Sequence, residues 1–188
     1  MAFGQEILIA LGANLPSEEG TPHETLKAAL TSLAREGFAI ADVSDFYATP
    51  CFPAGFGPDY CNACARLTGP ADPHEILAAL HRVETQFGRA RARRWGSRTL
   101  DLDLLAVGET VMPDEATQTL WREISAEQQR ENTPERLILP HPRIQDRAFV
   151  LVPLCDIAAD WRHPILGSTA RELCDALPAE ARAEVVRM

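Results

Sequence analysis

Apolar and polar positions change period along the chain, and each change predicts an element. Ile7 to Leu11 is an unbroken apolar run closed by Gly12, the pattern of a strand buried on both faces. After a turn-rich stretch, Thr21-Pro22-His23-Glu24 reads as an N-cap, a proline at the first helical position and the acidic partner of a capping box. Leu26, Leu30 and Leu33 follow at helical spacing, and Gly37 closes the helix. Phe38 to Tyr47 is rich in strand formers and ends at Thr49-Pro50, after which Pro53, Gly55, Gly57 and Pro58 predict a loop. A strand resumes at Tyr60. Asp72-Pro73-His74-Glu75 then repeats the helix start and leads an apolar stripe of Ile76, Leu77, Leu80, Val83 and Phe87 ending at Gly88. Thr99 to Val107 alternates as the next strand.

Strand, helix, strand, strand, helix, strand is the double split βαβ order of a ferredoxin-like α+β domain with an antiparallel sheet, its helices expected on one sheet face. Past Gly108, the polar stretch 112–136 holds a weak stripe of Leu120, Trp121 and Ile124, within a possible helix over 115–131, and is expected as a surface insertion. Leu137 to Pro140 is a short apolar run. A helix is expected within 146–159, and the tail from Glu172 has helical pattern, which adds C-terminal helices to the core. With 188 residues, 46% of them hydrophobic, one domain spanning 1–188 is the natural size. No segment approaches the roughly 20 apolar residues that cross a bilayer, and no leader pattern opens the chain, so a cytoplasmic protein is expected.

The strand after the second helix carries chemistry. In Arg98-Thr99-Leu100-Asp101-Leu102-Asp103-Leu104-Leu105, alternation sends Leu100, Leu102 and Leu104 to one face and Asp101 and Asp103 to the other. The two carboxylates project together, about 6.5 to 7 Å apart along the strand, which suits them to share hard divalent ions. Aspartate is disfavoured in strands and the pair repels itself, so without a cation the arrangement costs stability. The plain alternative is an amphipathic strand.

Charge sharpens that picture. The formal net charge is −9, which argues against nucleic acid or an anionic membrane as partner. Against this background, 17 of the 18 basic residues are arginine, and five of them, Arg89, Arg91, Arg93, Arg94 and Arg98, run directly into the acidic strand. Arginine offers bidentate donors matched to phosphate oxygens, so the loop and the aspartates would neutralise one polyphosphate between them. Neither a Walker A sequence nor a dinucleotide fingerprint is present.

In the strand from Tyr60, Cys61, Ala63, Ala65 and Leu67 point one way, while Tyr60, Asn62, Cys64 and Arg66 point the other. Tyr60 and Asn62 therefore offer a ring and an amide to a flat heterocycle. Cys61 and Cys64 match a C-x-x-C spacing, but on a strand they face opposite ways and no second pair accompanies them, so zinc and redox roles are not expected. The five cysteines are scattered, and no disulfide is expected.

These residues resemble the 6-hydroxymethyl-7,8-dihydropterin pyrophosphokinases from Ile7 to about Asp160. The similarity rests on Arg94-Trp95-Gly96-Ser97-Arg98-Thr99-Leu100-Asp101-Leu102-Asp103-Leu104-Leu105 and four pieces elsewhere. These are Leu11 to Leu15, Tyr47-Ala48-Thr49-Pro50, Asp59 to Ala63, and Pro140-His141-Pro142-Arg143 continuing to Arg147-Ala148-Phe149. The resemblance implies a cytoplasmic, monomeric enzyme of folate biosynthesis that moves the β,γ-pyrophosphoryl unit of ATP to the hydroxymethyl oxygen of 6-hydroxymethyl-7,8-dihydropterin, leaving AMP. It implies that Asp101 and Asp103 hold two magnesium ions, and that Arg89 and Arg98, with Arg91 or Arg94, clamp phosphates. Glu84, Trp95, Leu104, His141 and Arg147 would line the nucleotide side, and Thr49, Pro50, Tyr60, Asn62, Trp95 and Phe149 the pterin. Departures are His81, where the family often has glutamine, a loop between Arg89 and Trp95 one residue shorter than in some members, and the longer stretch 112–136.

Two other classes remain open on the residues alone. A two-metal nucleotidyl transferase or cyclase also sets paired aspartates on such a sheet and would release pyrophosphate. An RNA-recognition domain shares the topology but uses paired aromatic strand motifs absent here.

Overall fold

The computed structural model describes residues 5–51, 57–88, 99–125, 128, 132 and 134–188. The elements are β1 (Glu6–Ala13), α1 (Pro22–Arg35), β2 (Ala39–Val43), β3 (Tyr47–Thr49), β4 (Tyr60–Thr68), α2 (Pro73–Gln86) and β5 (Asp101–Val107). There follow α3 (Glu115–Glu123), a 3₁₀ turn (Ile144–Asp146), α4 (Ala148–Ala158), α5 (Ala170–Asp175), α6 (Ala179–Ala183) and β6 (Val186–Arg187).

The helix starts are those the sequence predicts. Thr21 and Glu24 form the reciprocal capping box of α1, and the Asp72 side chain accepts the His74 amide at 2.9 Å to open α2. Gly37 and Gly88, at positive φ, lie just past their ends. The strands pair antiparallel in the order β5-β1-β4-β3-β6, with β2 also on β4, which is the split βαβ arrangement expected.

The predicted strand from Phe38 to Tyr47 is two. Ser44 breaks it: its amide donates to the Cys64 carbonyl at 2.9 Å and its hydroxyl accepts the Cys64 amide at 2.9 Å. β2 and β3 are therefore successive pieces on one edge of β4.

Helices cover both faces of the sheet, not the one expected. On one face, Ile7, Ile9 and Leu11 of β1, Cys61, Ala63, Ala65 and Leu67 of β4, and Leu102 and Leu104 of β5 pack on α1 and α2. On the other, Leu8, Cys64, Leu105 and Ala106 pack on α4 and α5. The second layer exists because these four apolar side chains would otherwise face water. It stops short of one sheet end, where the same face presents Asp101, Asp103 and Asn62.

A β-bulge produces this division. Ile9 opposes Leu104 and Leu8 opposes Ala106, so Leu105 is the extra residue of β5. Both Leu105 and Ala106 enter the second core, and Val107 returns to the first. The outer edge of β5 is also covered. The Leu102 amide donates to Glu84 Oε1 at 2.8 Å, and the Leu105 carbonyl accepts the His141 amide at 2.8 Å.

Past residue 108 one expectation is corrected and another is extended. α3 ends at Glu123, short of 131, because Ile124 turns extended, and within it the Gln118 side chain is fully buried. The tail is helical in α5 and α6, as expected, and then adds a strand: β6 pairs with β3, Met188 donates to the Phe46 carbonyl at 2.9 Å, and Arg187 meets Asp45 at 2.6 Å. A two-residue strand has no periodicity to read; it forms because the β3 edge is there to receive it.

Candidate active site

The antiparallel register sets a row of side chains across four strands. Asp101 opposes Gly12, Gly12 opposes Asn62, and Asn62 opposes Tyr47. One residue pair along, Asp103 opposes Ala10 and Ala10 opposes Cys64. Directly opposed residues share a face, so both carboxylates and the Asn62 amide open on one side. Asp101 and Asp103 are half-buried. Asn62 is buried and donates to Thr49 Oγ1 at 2.7 Å. Gly12 is the reason it can lie there: a Cβ at that position would stand 3.0 Å from Asn62 Oδ1.

At the other side of the acid pair, Arg147 Nη1 reaches Asp103 Oδ2 at 3.2 Å, and its guanidinium stands 5.6 Å from the centre of the Phe149 ring. Phe149 is 38% exposed, enough for one ring face to meet a flat ligand. His141 is half-buried next to these groups, and its Nδ1 accepts the Arg143 amide at 3.1 Å, which leaves the proton on Nε2. Burial, then the Arg147 charge, hold its pKa down to about 4, so the imidazole is neutral at neutral pH. Tyr60 is half-buried and Pro50 exposed, beside Thr49.

Two predicted contacts are placed otherwise than expected. Leu104 lies in the core beneath the sheet, on the face opposite the aspartates, so only its backbone could meet a nucleotide on their face. Glu84 is 1% exposed and braces the Leu102 amide. Arg89, Arg91, Arg94, Trp95 and Arg98 lie outside the described residues. Cys61 and Cys64 do face opposite cores, and burial raises both thiols, Cys61 to about 11.

Sequence reasoning missed three supports. Asn14, 1% exposed, donates to the Pro58 carbonyl at 3.2 Å, holding the return of the loop that follows Thr49-Pro50. Asp156 of α4 accepts the Tyr47 hydroxyl at 2.8 Å and the Asp45 amide at 3.2 Å, fixing β3. Gln118 donates to the Pro140 carbonyl at 3.1 Å. Asn14 lies within the quoted Leu11–Leu15 piece; the other two carry no local signal.

As a metal centre the donor set is minimal. Among the described residues no three His, Cys, Asp or Glu side chains gather. Two carboxylates with remaining positions left to water and phosphate is the coordination magnesium accepts, whereas a protein cage for calcium or zinc needs more ligands. A surface groove of about 610 Å³ beside α3, lined by Trp121, Ile124 and Ile138, lies apart from the acid pair and holds none of these groups.

Hard oxygen ligands beside an arginine, on the end of an antiparallel α+β sheet past its second helical layer, are suited to a protein that handles phosphate esters. Residues 8–159 match the family described as 7,8-dihydro-6-hydroxymethylpterin-pyrophosphokinase, and the chain belongs to that family. The protein is similar to the 2-amino-4-hydroxy-6-hydroxymethyldihydropteridine pyrophosphokinases of Haemophilus influenzae (37% identity, 83% of each chain) and Pseudomonas aeruginosa (36%, 94% of each). It is also similar to that of Synechocystis (34%, 93% of this chain and 77% of the relative). Its fold is shared with an HPPK-DHPS crystal structure in complex with substrates, at a TM-score of 0.67 and 11% identity, over 93% of this chain and 45% of that one. A second, the wild-type Plasmodium falciparum HPPK-DHPS, aligns at 0.62 and 13%, over 92% of this chain and 43% of that one. The chain thus spans under half the length of these fused proteins.

Proposed function

We propose that the protein transfers the β,γ-pyrophosphoryl group of MgATP to 6-hydroxymethyl-7,8-dihydropterin in folate biosynthesis. The hydroxymethyl oxygen bonds to the β-phosphorus, the bond from that phosphorus to the α,β-bridging oxygen breaks, and AMP leaves. The hydroxyl proton passes to water. The observation that carries this reading is the row Asp101, Gly12, Asn62, with carboxylates at one end and a pre-paired amide at the other.

Asp101 and Asp103 would hold two magnesium ions, whose charge would draw electron density from the phosphates. The residues themselves bind and orient. Arg147, which pairs with Asp103, would turn its guanidinium to phosphate oxygens, and neutral His141 would donate from Nε2 on the nucleotide side. Arg89, Arg98, and Arg91 or Arg94 complete the phosphate clamp, and Trp95 contributes to both substrates. Asn62, held by Thr49, reads the pterin edge, while Tyr60, Phe149 and Pro50 enclose its faces. No side chain of this set is a strong base for the hydroxyl, so alignment and charge neutralisation supply the rate. The protein works as a cytoplasmic monomer, one catalytic domain over 1–188.

Incubation with MgATP and the reduced hydroxymethylpterin tests substrate, reaction and phosphorus position together. AMP and a pterin diphosphate are expected in equal amounts. Free pyrophosphate without AMP would transfer the case to the nucleotidyl-transfer alternative.

A further inference from the structure

The stretch 112–136 is the part of the chain to which the resemblance assigns no role, yet α3 buries a polar side chain completely. Gln118 is 0% exposed, and its Nε2 donates to the Pro140 carbonyl at 3.1 Å. Its Oε1 is in turn held by Arg122 Nη1 at 3.0 Å, so the amide cannot turn over without losing both bonds. The Pro140 carbonyl and the His141 amide belong to one peptide unit, and that amide donates to the Leu105 carbonyl at 2.8 Å. One rigid plane is therefore gripped at its oxygen by α3 and at its nitrogen by the bulge of β5. Just before it, Leu139 and Met112 exchange both backbone bonds, at 2.9 and 3.1 Å. A peptide plane fixed at both ends sets ψ of Pro140 and φ of His141, and with them the direction of the His141 Cα–Cβ bond.

We propose that Gln118 is a positioning residue for His141: α3 aims the imidazole at the acid pair by holding the Pro140–His141 peptide plane. The link to substrate rests on the reading of His141 as lining the nucleotide side. The insertion is then a brace of the site rather than a lid, and its removal would free the plane at one end.

The test compares Gln118→Met, which keeps the volume and loses the donor, with Asp114→Ala, which removes the N-cap of the same helix where Asp114 accepts the Thr117 amide at 2.8 Å. Two readouts are taken: the His141 ring and backbone amide signals by NMR with amide exchange, and the affinity for a non-hydrolysable ATP analogue with magnesium. In Gln118→Met the His141 signals move, its amide exchanges faster, and nucleotide affinity falls about tenfold while pterin affinity holds. Asp114→Ala leaves the His141 signals in place. Unmoved His141 signals in Gln118→Met, or the same movement in both variants, would overturn the proposal. If Gln118→Met does not fold, Gln118→Glu, which keeps the partner of Arg122 and loses the donor, is read in the same way. A His141→Ala variant with unchanged nucleotide affinity, alongside moved signals in Gln118→Met, would remove the nucleotide reading and leave the positioning link standing.

Discussion

Replacing Gly12 by alanine separates the site from the scaffold. Gly12 sits between Asp101 and Asn62 in the sheet, and an added Cβ would meet Asn62 Oδ1 at 3.0 Å, so the amide must move by a few tenths of an ångström. Asn62 is also tied to Thr49 at 2.7 Å, and that bond lengthens toward an ordinary 3 Å without breaking. The displaced rotamer costs about 0.5–1.5 kcal/mol. Gly12 has no positive φ, so alanine fits its backbone, and the stiffer unfolded chain returns about 0.4–1 kcal/mol. Global stability should therefore change by under about 1 kcal/mol. Pterin affinity should fall about tenfold, because the edge that reads the ligand has moved by the tolerance of a hydrogen bond. Urea denaturation and a fluorescence titration with the pterin measure the two quantities. Unchanged pterin affinity, or a stability loss of several kcal/mol with affinity intact, would refute the reasoning.

Asp101→Asn and Asp103→Asn should each lower turnover by about a thousandfold or more, with denaturation midpoints close to the parent because both side chains are half-exposed and the Asp103–Arg147 pair is worth at most about 1 kcal/mol. Near-full activity in either would sink the metal assignment. Glu84→Ala leaves the Leu102 amide without this acceptor, and stability should drop by about 1–3 kcal/mol in urea melts; a neutral outcome would show that the brace is dispensable. Fully buried His163, whose Nδ1 accepts the Ile165 and Leu166 amides at 3.2 Å, has its pKa pushed down to about 4, mainly by burial. The unfolded chain takes up that proton first. The contribution is therefore complete above the ordinary value of 6.5 and is lost as pH falls toward 4, by up to about 3 kcal/mol. His163→Asn should flatten that part of a stability-against-pH curve, and an unaltered slope would contradict it.

Local grammar was enough for much of this protein. Thr21 and Asp72 announce helices because a capping side chain acts within one turn of chain, and alternation alone separates Asp101 and Asp103 from the leucines between them. The same alternation sends Cys61 and Cys64 to opposite cores. The substrates were legible only through resemblance, since an amide and a few rings do not specify a pterin.

What tertiary structure decided depends on partners far away in the chain. Ser44 divides a strand because Cys64 lies opposite, and β6 exists because β3 offers an edge. Glu84 reads as a polar position at the end of an amphipathic helix until the outer edge of β5 arrives to use it. The bulge at Leu105 is invisible in an apolar run, yet it sends Leu105 and Ala106 to one core and presents the carbonyl that holds His141. Period and capping are properties of neighbours in sequence, whereas burial of a polar group is decided by whatever packs over it. That is why the acid pair could be read from the sequence by itself, and the framework that aims Asn62 and His141 at its surroundings could not.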